Sequence, residues 1–538
     1  MLDVAIIGAG LSGLSLARRL ARRKRDFAVF EARNRLGGRI LTAPAGEGGG
    51  LDLGAGWFWP QTQPLVSALI RELGLPDHPQ HDDGIVLHLK EADKQAERIE
   101  NKKLYDGARR LKGGMATLIE RLAAELPGEA IFLRHQLKAF SDRGDHIRLE
   151  FQVDEQVLEI AARRVVLTLP PRLIRETLRL EPALDEATDR ALLGAETWMA
   201  AQAKVGMTFG EAFWRSAGLS GSAYVTHEQA ILGEIFDASD MEARAFALGG
   251  FVAIDPELRD QFAVGLPILL KSQIGAVFGR DVEVLDIRFQ DWAKEPFTCS
   301  DADRNGQEAD HSIDSGNPLL RRALWDKKLY LGGAETSVRN AGYMEGALDA
   351  ARRVDRALAV LETKKRLTDP AGTDAYANLP LNEASLARFA AWVDAQSDAV
   401  FDDYRRRLNK GMARQEQEGL TQAALLGAME ALFEQSLLKI EALPLDMGAV
   451  VIEKGRASLT PLIQQPFGEV MQAAFDDAIA FNQTSCALSN FPNEHRVSKD
   501  YTQAIMRDIA AAWREFSLSA NDLLVKKKTS HPAQELIR

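Results

Sequence analysis

Three glycines near the start of the chain have the spacing of a loop that binds the phosphates of a dinucleotide. Gly8, Gly10 and Gly13 form the pattern G-x-G-x-x-G. In such a loop the first glycine permits a tight turn, the second lets a pyrophosphate reach the backbone, and the third lets helix and strand pack closely. Glu31 stands where a carboxylate accepts hydrogen bonds from ribose hydroxyls. These residue types predict a dinucleotide-binding site.

The segments around the glycines follow the order strand, turn, helix, strand. Residues 2–7 are an apolar run of the kind found in buried parallel strands. Leu14, Ala17 and Leu20 share one face of the next helix, whose N terminus would attract phosphate. Residues 27–31 form the second strand. This order predicts a Rossmann-like α/β domain, but it does not distinguish NAD from FAD.

The composition is typical of a soluble protein in a reducing compartment. A chain of 538 residues is too long for one core, so we expect two or three domains. The net charge of −11 disfavours a nucleic-acid partner. Cys299 and Cys486 form no disulfide framework, and no apolar stretch is long enough to span a membrane. We therefore expect a cytoplasmic protein. We interpret the polar segment 78–83 as a solvated loop and expect no metal site.

The segment "EARNRLGGRI" (31–40) resembles the motif E-A-R-x-R-x-G-G-R of the flavin amine oxidase superfamily. That superfamily includes monoamine oxidases, polyamine oxidases, L-amino acid oxidases and related desaturases. The resemblance implies that FAD is the cofactor. It also implies that Arg33, Gly37, Gly38 and Arg39 approach the pyrophosphate and the isoalloxazine. Glycines that admit a backbone and arginines that complement phosphate suit this role on physical grounds as well.

A second segment, "LYLGGAETSVRNAGYMEGALDAARR", resembles the second flavin motif of the same family. An apolar strand precedes its paired glycines, and a helix follows its methionine. The two motifs occur in the family's order, and the resemblance covers about residues 1–362. It implies four further cofactor contacts: Gly333, Glu335, Tyr343 and Met344.

A lysine in the strand-like run "AQAKVGMTFGEAFW" is the main candidate for a catalytic side chain. Lys204 has apolar neighbours, so we expect it to point inward and burial to lower its pKa. The run resembles the amine-oxidase strand whose lysine reaches flavin N5 through a water molecule. An ordinary lysine of an edge strand is the alternative interpretation.

Aromatic residues near the second motif predict the walls of the substrate site. The resemblance implies that Trp292 neighbours the flavin and that Phe297 and Tyr343 form an aromatic sandwich in front of it. Core packing of Phe297 is an equally open interpretation. Cys299 does not match the position of the cysteine that bonds to the flavin in monoamine oxidases. We therefore expect non-covalent FAD.

The stretch "LDLGAGWFWPQ" (51–61) resembles the family's turn beneath the flavin, which involves Gly54, Ala55, Gly56 and Trp57. Trp57 stands where L-amino acid oxidases carry an arginine that grips the substrate carboxylate. The stretch therefore favours an amine without an α-carboxylate. Another arginine, such as Arg109 or Arg339, could hold a carboxylate, so this exclusion is incomplete.

Together these features predict FAD-dependent oxidation of an amine to an imine or aldehyde, with dioxygen reduced to hydrogen peroxide. The small-molecule amine and dioxygen are the expected partners. Three alternatives stay open: an L-amino acid oxidase, a fold-related desaturase, and a flavin-bound scaffold whose helical region is the working part. Desaturases of this superfamily generally lack the strand lysine, so Lys204 disfavours the second of them.

The predicted FAD-binding domain is discontinuous and alternates with a mixed-sheet substrate domain. Polar residues rich in Pro and Gly, at 364–383, predict a linker to a helical C-terminal domain. The domain is interpreted either as an independent helical bundle, or as a lid or homodimer surface that packs over residues 77–109, or as a docking surface for a partner protein or a polymer. The sequence does not decide between these interpretations. The predicted boundaries are 1–76, 110–182 and 300–364 for the FAD-binding domain, 77–109 and 183–299 for the substrate domain, and 365–538 for the helical domain.

Overall fold

The computed structural model describes residues 1–46, 49–240, 246–305, 317–338, 340–368, 380–413, 419–488 and 491–529. Its contacts divide the chain into two compact units, Met1–Val354 and Asp355–Arg538. The division falls within a helix, Met344–Thr368. Arg339, one of the two arginines considered above for a carboxylate, lies outside the described residues, as does most of the predicted linker.

The strands of the first unit form two large sheets and several short pairs. In chain order they are β1 Leu2–Ile7, β2 Phe27–Phe30, β3 Thr42–Ala45, β4 Gly49–Asp52, β5 Asp77–Pro79, β6 Ile85–Leu89, β7 Glu97–Ile99, β8 Arg109–Leu111, β9 Ile131–Phe132, β10 His135–Asp142, β11 Ile147–Val153, β12 Gln156–Leu167, β13 Arg179–Glu181, β14 Ala203–Phe209, β15 Leu219–Val225, β16 Leu232–Asp237, β17 Phe246–Val252, β18 Asp286–Asp291 and β19 Leu329–Leu331.

The helices of the first unit connect and cover these sheets. In chain order they are α1 Leu11–Arg22, α2 Pro64–Glu72, α3 Ala116–Ala124, α4 Pro171–Thr177, α5 Glu186–Gly194, α6 Phe213–Ser216, α7 Pro256–Gln261, α8 Leu266–Phe278, α9 Asp301–Arg304, α10 Pro318–Arg321 and α11 Met344–Thr368, the last of which continues into the second unit.

The first large sheet carries the glycine loop. Its strands follow the order β13-β10-β11-β12-β1-β2-β9, and β19 also pairs with β12. β1 pairs in parallel with β2 and β12, as expected for apolar strands buried on both faces. Gly8 follows β1 and Glu31 follows β2, so the loop and the acid meet at the carboxyl edge of the sheet. The predicted Rossmann-like α/β arrangement is confirmed.

The second large sheet is mixed, as predicted for the substrate domain. Its strands follow the order β18-β14-β17-β16-β15-β6-β7, with β6 and β15 parallel and the other neighbours antiparallel. β14 lies between β18 and β17 and is fully buried. It pairs Lys204 with Phe251 on β17. Because side chains alternate along a strand, β14 sends Val205 and Met207 into an apolar core and Lys204 to the opposite face.

The second unit is almost entirely helical, which confirms the predicted helical region. Its rings of Phe433, Phe467, Trp513 and Phe516 pack with centroids 4.8–6.0 Å apart. Its role as a lid or an interaction surface stays a prediction. Its elements are α12 Leu381–Asp394, α13 Ser397–Ala413, α14 Leu420–Ala442, β20 Ile452–Glu453, β21 Arg456–Ala457, α15 Thr460–Gln464, α16 Phe467–Thr484, α17 Pro492–His495 and α18 Lys499–Thr529.

No helix within the described ranges combines the length and the apolar character that crossing a membrane requires. Nor do the described residues contain a group of side chains suited to hold a metal ion. In the polar segment 78–83, Asp82 is buried and accepts a hydrogen bond from the backbone N–H of Tyr105. That residue is therefore packed rather than solvated.

Candidate active site

A cavity of about 540 Å³ extends through the first unit from the glycine loop to β14. Gly8, Gly10 and Glu31 line one part of it, and Trp292 and Lys204 line another. A volume of this size is typical of pockets for small molecules and cofactors. The two sequence motifs and the strand lysine therefore border one continuous space.

The loop between β1 and α1 presents open backbone to this cavity. α1 begins after Gly10, and no side chain caps its N terminus, so its first N–H groups are available to a ligand. A Cβ placed on Gly10 would lie 3.9 Å from its nearest protein neighbour, the carbonyl of Gly37. On Gly13 it would lie 2.0 Å from the carbonyl oxygen of Gly8. Gly10 thus leaves room for a ligand, whereas Gly13 allows helix and strand to touch.

Glu31 is fixed by the backbone around it. Its Oε2 accepts a hydrogen bond from the N–H of Ala9 at 2.8 Å, and its Oε1 accepts one from the N–H of Arg33 at 2.9 Å. A carboxylate held in this way is pre-oriented for ribose hydroxyls. Open backbone at Gly10, an uncapped helix N terminus and this acid therefore fit a dinucleotide.

Most of the residues predicted from the motifs border the cavity. Gly13, Gly333 and Glu335 lie behind its wall. A Cβ on Gly333 would meet the carbonyl oxygen of Leu169 at 2.4 Å, so this glycine serves close packing. The predicted residues that line the cavity are Gly8, Gly10, Glu31, Arg33, Gly37, Gly38, Arg39, Gly54, Ala55, Gly56, Trp57, Lys204, Trp292, Phe297, Tyr343 and Met344.

Arg33 and Arg39 of the first motif already have acidic partners. Arg33 donates to Glu295 through Nε and Nη2, at 3.0 and 2.9 Å. Nη1 of Arg39 lies 2.6 Å from Oε1 of Glu335, a buried side chain. Each arginine is thus held in place by a carboxylate, which leaves little freedom to move toward another ligand.

Lys204 is buried below a group of rings. Its Nζ donates to the carbonyl oxygen of Gly54 at 3.0 Å. The ring centres of Trp57, Phe236 and Phe251 lie 4.5, 5.3 and 5.3 Å from that nitrogen. Burial lowers the pKa of Lys204 to about 7, because a charged amine is poorly solvated there. The side chain can therefore gain or lose a proton near neutral pH.

Trp57 belongs to both the core and the cavity wall. Its ring stacks on Tyr105 at 5.1 Å and meets the edge of Phe236 at 4.6 Å. Its Nε1 donates to Oε1 of Gln80 at 2.8 Å. The remaining surface of the indole borders the cavity, next to Lys204. The aromatic stretch after Gly56 is therefore a fixed wall.

The ring that pairs with Tyr343 is Trp198. Their centroids lie 4.8 Å apart, and both side chains are partly exposed at the cavity. A Cβ on Gly342 would lie 2.4 Å from that of Trp198, so the glycine allows this close approach. Phe297 also borders the cavity, but its ring lies 5.4 Å from the guanidinium carbon of Arg33. The sequence analysis did not identify Trp198.

Trp292 and Cys299 lie in different surroundings, although they are close in sequence. Nε1 of Trp292 donates to the carbonyl oxygen of Leu53 at 2.9 Å, which fixes its ring beside the cavity. Cys299 is buried with Ala200 and Ala293 and does not itself line the cavity. Burial raises the pKa of its thiol to about 11, so it is a poor nucleophile at neutral pH.

Several other side chains of the cavity wall were not predicted from the sequence. Gln63, Gln202 and Phe251 line the cavity, and each comes from a segment without a recognisable motif. Phe251 is brought there by its pairing opposite Lys204. Trp198 precedes the lysine strand in "AETWMAAQAK", and an aromatic residue so close to that strand was the available signal.

Comparison with known families identifies one family model that matches most of the chain. The model described as flavin containing amine oxidoreductase matches residues 11–105 and 89–358. The matched residues include the glycine loop in part, the lysine strand and the segment around Tyr343. They therefore cover most of the elements that enclose the cavity.

Individual relatives agree with this match. Flavin-containing amine oxidase A of Equus caballus is 23% identical over 461 residues, covering 66% of this chain and 84% of that protein. The flavin-containing monoamine oxidase AofH of Mycobacterium tuberculosis is 46% identical over 82 residues, which is 15% of this chain and only 18% of that protein. The solved structure of cyclohexylamine oxidase from Brevibacterium oxydans aligns with a TM-score of 0.52 and 19% identity, over 66% of this chain and 98% of that one.

Proposed function

Because the chain belongs to the flavin-containing amine oxidoreductase family, with FAD as its cofactor, we propose that it oxidises a monoamine that carries no carboxylate. The carbon bearing the nitrogen loses two electrons and two protons to give an imine. Water hydrolyses the imine to ammonia and a carbonyl compound, which is an aldehyde or a ketone depending on the amine. Dioxygen takes up the two electrons and two protons and becomes hydrogen peroxide.

The charged groups of the cavity wall carry this proposal. Among the described residues that line the cavity, Glu31 is the one carboxylate, and it already accepts two backbone hydrogen bonds. Arg33 and Arg39 are paired with Glu295 and Glu335. The described part of the wall thus offers no spare acid for the second ammonium of a diamine and no spare arginine for an α-carboxylate. An unpaired charge in an enclosed site costs about 2–5 kcal/mol.

The ring-lined wall favours the neutral form of the amine. An alkyl amine resembles lysine, so its deprotonation at pH 7 costs about 4–5 kcal/mol. Attraction of an ammonium to an aromatic ring is smaller, about 0.5–2 kcal/mol. The aromatic part of the wall excludes water but supplies no negative charge to balance an ammonium; it consists of Trp57, Trp198 and Tyr343. A protonated Lys204 would in addition repel an ammonium. Neutral amine is therefore the form that these residues hold.

FAD supplies the redox chemistry when it is bound, by accepting the two electrons of the amine. The chain holds it through the open backbone at Gly10, the N terminus of α1 and the carboxylate of Glu31. The inert thiol of Cys299, which does not itself line the cavity, supports non-covalent binding. Lys204, fixed by Gly54, provides a nitrogen that exchanges a proton near neutral pH.

Anaerobic bleaching of the flavin absorbance by a panel of amines tests the proposed function. The panel consists of cyclohexylamine, benzylamine, putrescine and L-leucine, added to the purified yellow protein. We expect the two monoamines to bleach the flavin and putrescine and leucine to leave it oxidised. On admission of air, one hydrogen peroxide should form for each molecule of amine oxidised.

The same panel separates the alternatives. Bleaching by leucine alone would favour an L-amino acid oxidase, and bleaching by putrescine alone would contradict the argument from the cavity charges. A flavin that no amine bleaches would overturn the proposal and would favour a flavin-bound scaffold or a desaturase. Bleaching without hydrogen peroxide would show that dioxygen is not the electron acceptor.

A further inference from the structure

A second, much smaller cavity touches Lys204. Its volume is about 10 Å³, and Asp52, Arg110 and Lys204 contribute its polar wall. Trp57 and Phe236 belong to its apolar wall. A space of this size is close to the minimum that holds one water molecule, and such a water needs two or more polar partners. This cavity offers them.

Asp52 has one oxygen that is satisfied and one that is not. Its Oδ1 accepts hydrogen bonds from Oγ1 of Thr42 at 2.6 Å and from the N–H of Met115 at 2.8 Å. Its Oδ2 is buried and has no hydrogen-bond partner. Nη2 of Arg110 lies 3.8 Å away, beyond hydrogen-bond distance. Because an unsatisfied buried carboxylate oxygen is costly, Oδ2 needs a donor from the small cavity.

Gly56 shows that Asp52 and Lys204 border the same space. A Cβ placed on Gly56 would lie 3.4 Å from Nζ of Lys204 and 3.6 Å from Oδ2 of Asp52. Because position 56 lacks a side chain, the space beside its Cα that borders both polar atoms is left open. Any larger residue there would separate the amine from the carboxylate.

We propose that a water molecule in this small cavity links Oδ2 of Asp52 to Nζ of Lys204, and that Asp52 is thereby a positioning residue of the amine oxidation. The charged groups that face Lys204 are Asp52 on β4, Arg110 on β8 and Glu234 on β16. The hydroxyl of Tyr105 donates a hydrogen bond to Glu234. Asp52 therefore opposes the effect of burial and keeps part of Lys204 protonated near neutral pH. The role of Asp52 in amine oxidation rests on the proposed function, but the water-mediated contact between Asp52 and Lys204 does not.

The pH dependence of protein stability tests the water-mediated contact between Asp52 and Lys204 without measuring enzyme activity. The pKa of Lys204 in the folded chain, about 7, lies below its unfolded value of 10.5. Between these values the unfolded chain holds a proton that the folded chain has lost, so this lysine makes stability rise with pH across that window. The thermal midpoint of flavin release from the FAD-loaded chain, relative to Lys204→Met, should show this rise. Because Asp52→Asn removes a negative charge that favours the protonated lysine, we expect the rise in the thermal midpoint to begin about one pH unit lower in this variant.

Two further variants distinguish an effect of Asp52 on the protonation of Lys204 from a purely structural role of Asp52. Thr42→Val removes the other side-chain contact of the same carboxylate but leaves its charge, so it should lower the midpoint equally at every pH. Gly56→Ala places a methyl group between Asp52 and Lys204, so it should shift the rise in the same direction as Asp52→Asn. Equal, pH-independent losses in Asp52→Asn and Thr42→Val would overturn the proposal.

A crystal structure of the FAD-loaded chain tests the water directly. Density for a water molecule at about 3 Å from both Oδ2 of Asp52 and Nζ of Lys204 is expected. Its absence in a well-ordered site would contradict the link. If the protein oxidises no amine but still holds this water and still shows the shift of the stability profile in Asp52→Asn, the proposed function alone is refuted. Failure of the proposed function and failure of the water-mediated contact are therefore distinguishable.

Discussion

Nζ of Lys204 lies 4.5 Å from the ring centre of Trp57, on a strand that is separated from this tryptophan by much of the first unit's sequence. The same nitrogen donates to the carbonyl oxygen of Gly54, in the turn that leads to Trp57. The glycine-rich turn, the aromatic wall and the lysine are therefore one assembly. Its effect is to place a buried, protonatable nitrogen at the edge of the cavity.

The rate of flavin reduction should rise with pH from about 6 to about 9. Two groups lose a proton over this range: Lys204, whose pKa burial lowers to about 7, and the bound amine, which must be neutral to react. Stopped-flow reduction under saturating cyclohexylamine, followed by flavin absorbance, measures this profile. In Lys204→Met the step near pH 7 should vanish, whereas the rise at higher pH should stay.

A profile that is flat between pH 6 and 9 in the parent chain would contradict the role of the neutral amine. An unchanged step near pH 7 in Lys204→Met would assign that step to another group. Lys204→Arg serves as the control for the charge, because its guanidinium stays protonated over the whole range.

Replacing Trp198 should weaken substrate binding more than it slows chemistry. Trp198 and Tyr343 pack against each other in the cavity wall, with ring centres 4.8 Å apart. Trp198→Ala removes one of these rings from the surface that a bound amine would contact, and an aromatic contact contributes about 0.5–1.5 kcal/mol beyond the area that it buries. We expect Trp198→Ala to raise KM for benzylamine about three- to tenfold, with kcat within about twofold. Steady-state kinetics by peroxide detection measures both quantities.

Trp198→Phe is the matched control, since it keeps a ring beside Tyr343 and should leave KM within about twofold of the parent chain. A fall in kcat at unchanged KM in Trp198→Ala would instead indicate that this side chain acts on the chemical step. No change in either constant would remove it from the substrate site.

The local parts of the site could be predicted from the sequence, and the reason is physical. Gly8, Gly10 and Glu31 act through backbone geometry and charge within one strand–helix–strand unit, so their roles appear in their spacing. The burial of Lys204 was likewise visible in its apolar neighbours. Each of these features depends on residues that are near one another along the chain.

Contacts between distant segments were not predictable in the same way. Trp198 faces Tyr343 because a loop before β14 and the start of α11 converge, and no pattern in either segment indicates this. Phe297 instead meets Arg33. The unsatisfied oxygen of Asp52 becomes visible only once β4, β8 and β14 are packed together. Such features are properties of tertiary packing.

Alanine at Gly10 and alanine at Gly13 should separate cofactor binding from folding. The Cβ of Gly10→Ala meets no protein atom closer than 3.9 Å, so the chain should fold normally but present a methyl group to the pyrophosphate. The Cβ of Gly13→Ala would lie 2.0 Å from the carbonyl oxygen of Gly8, which forces α1 away from β1.

We expect Gly10→Ala to bind FAD at least tenfold more weakly, with the thermal midpoint of the FAD-free protein within a few degrees of the parent chain. Gly13→Ala should lower that midpoint by much more, and fluorescence titration with FAD together with calorimetry of the stripped protein measures both effects. Equal losses of FAD-free stability in the two variants would contradict the separate roles, because the difference rests on which neighbour each added methyl group meets.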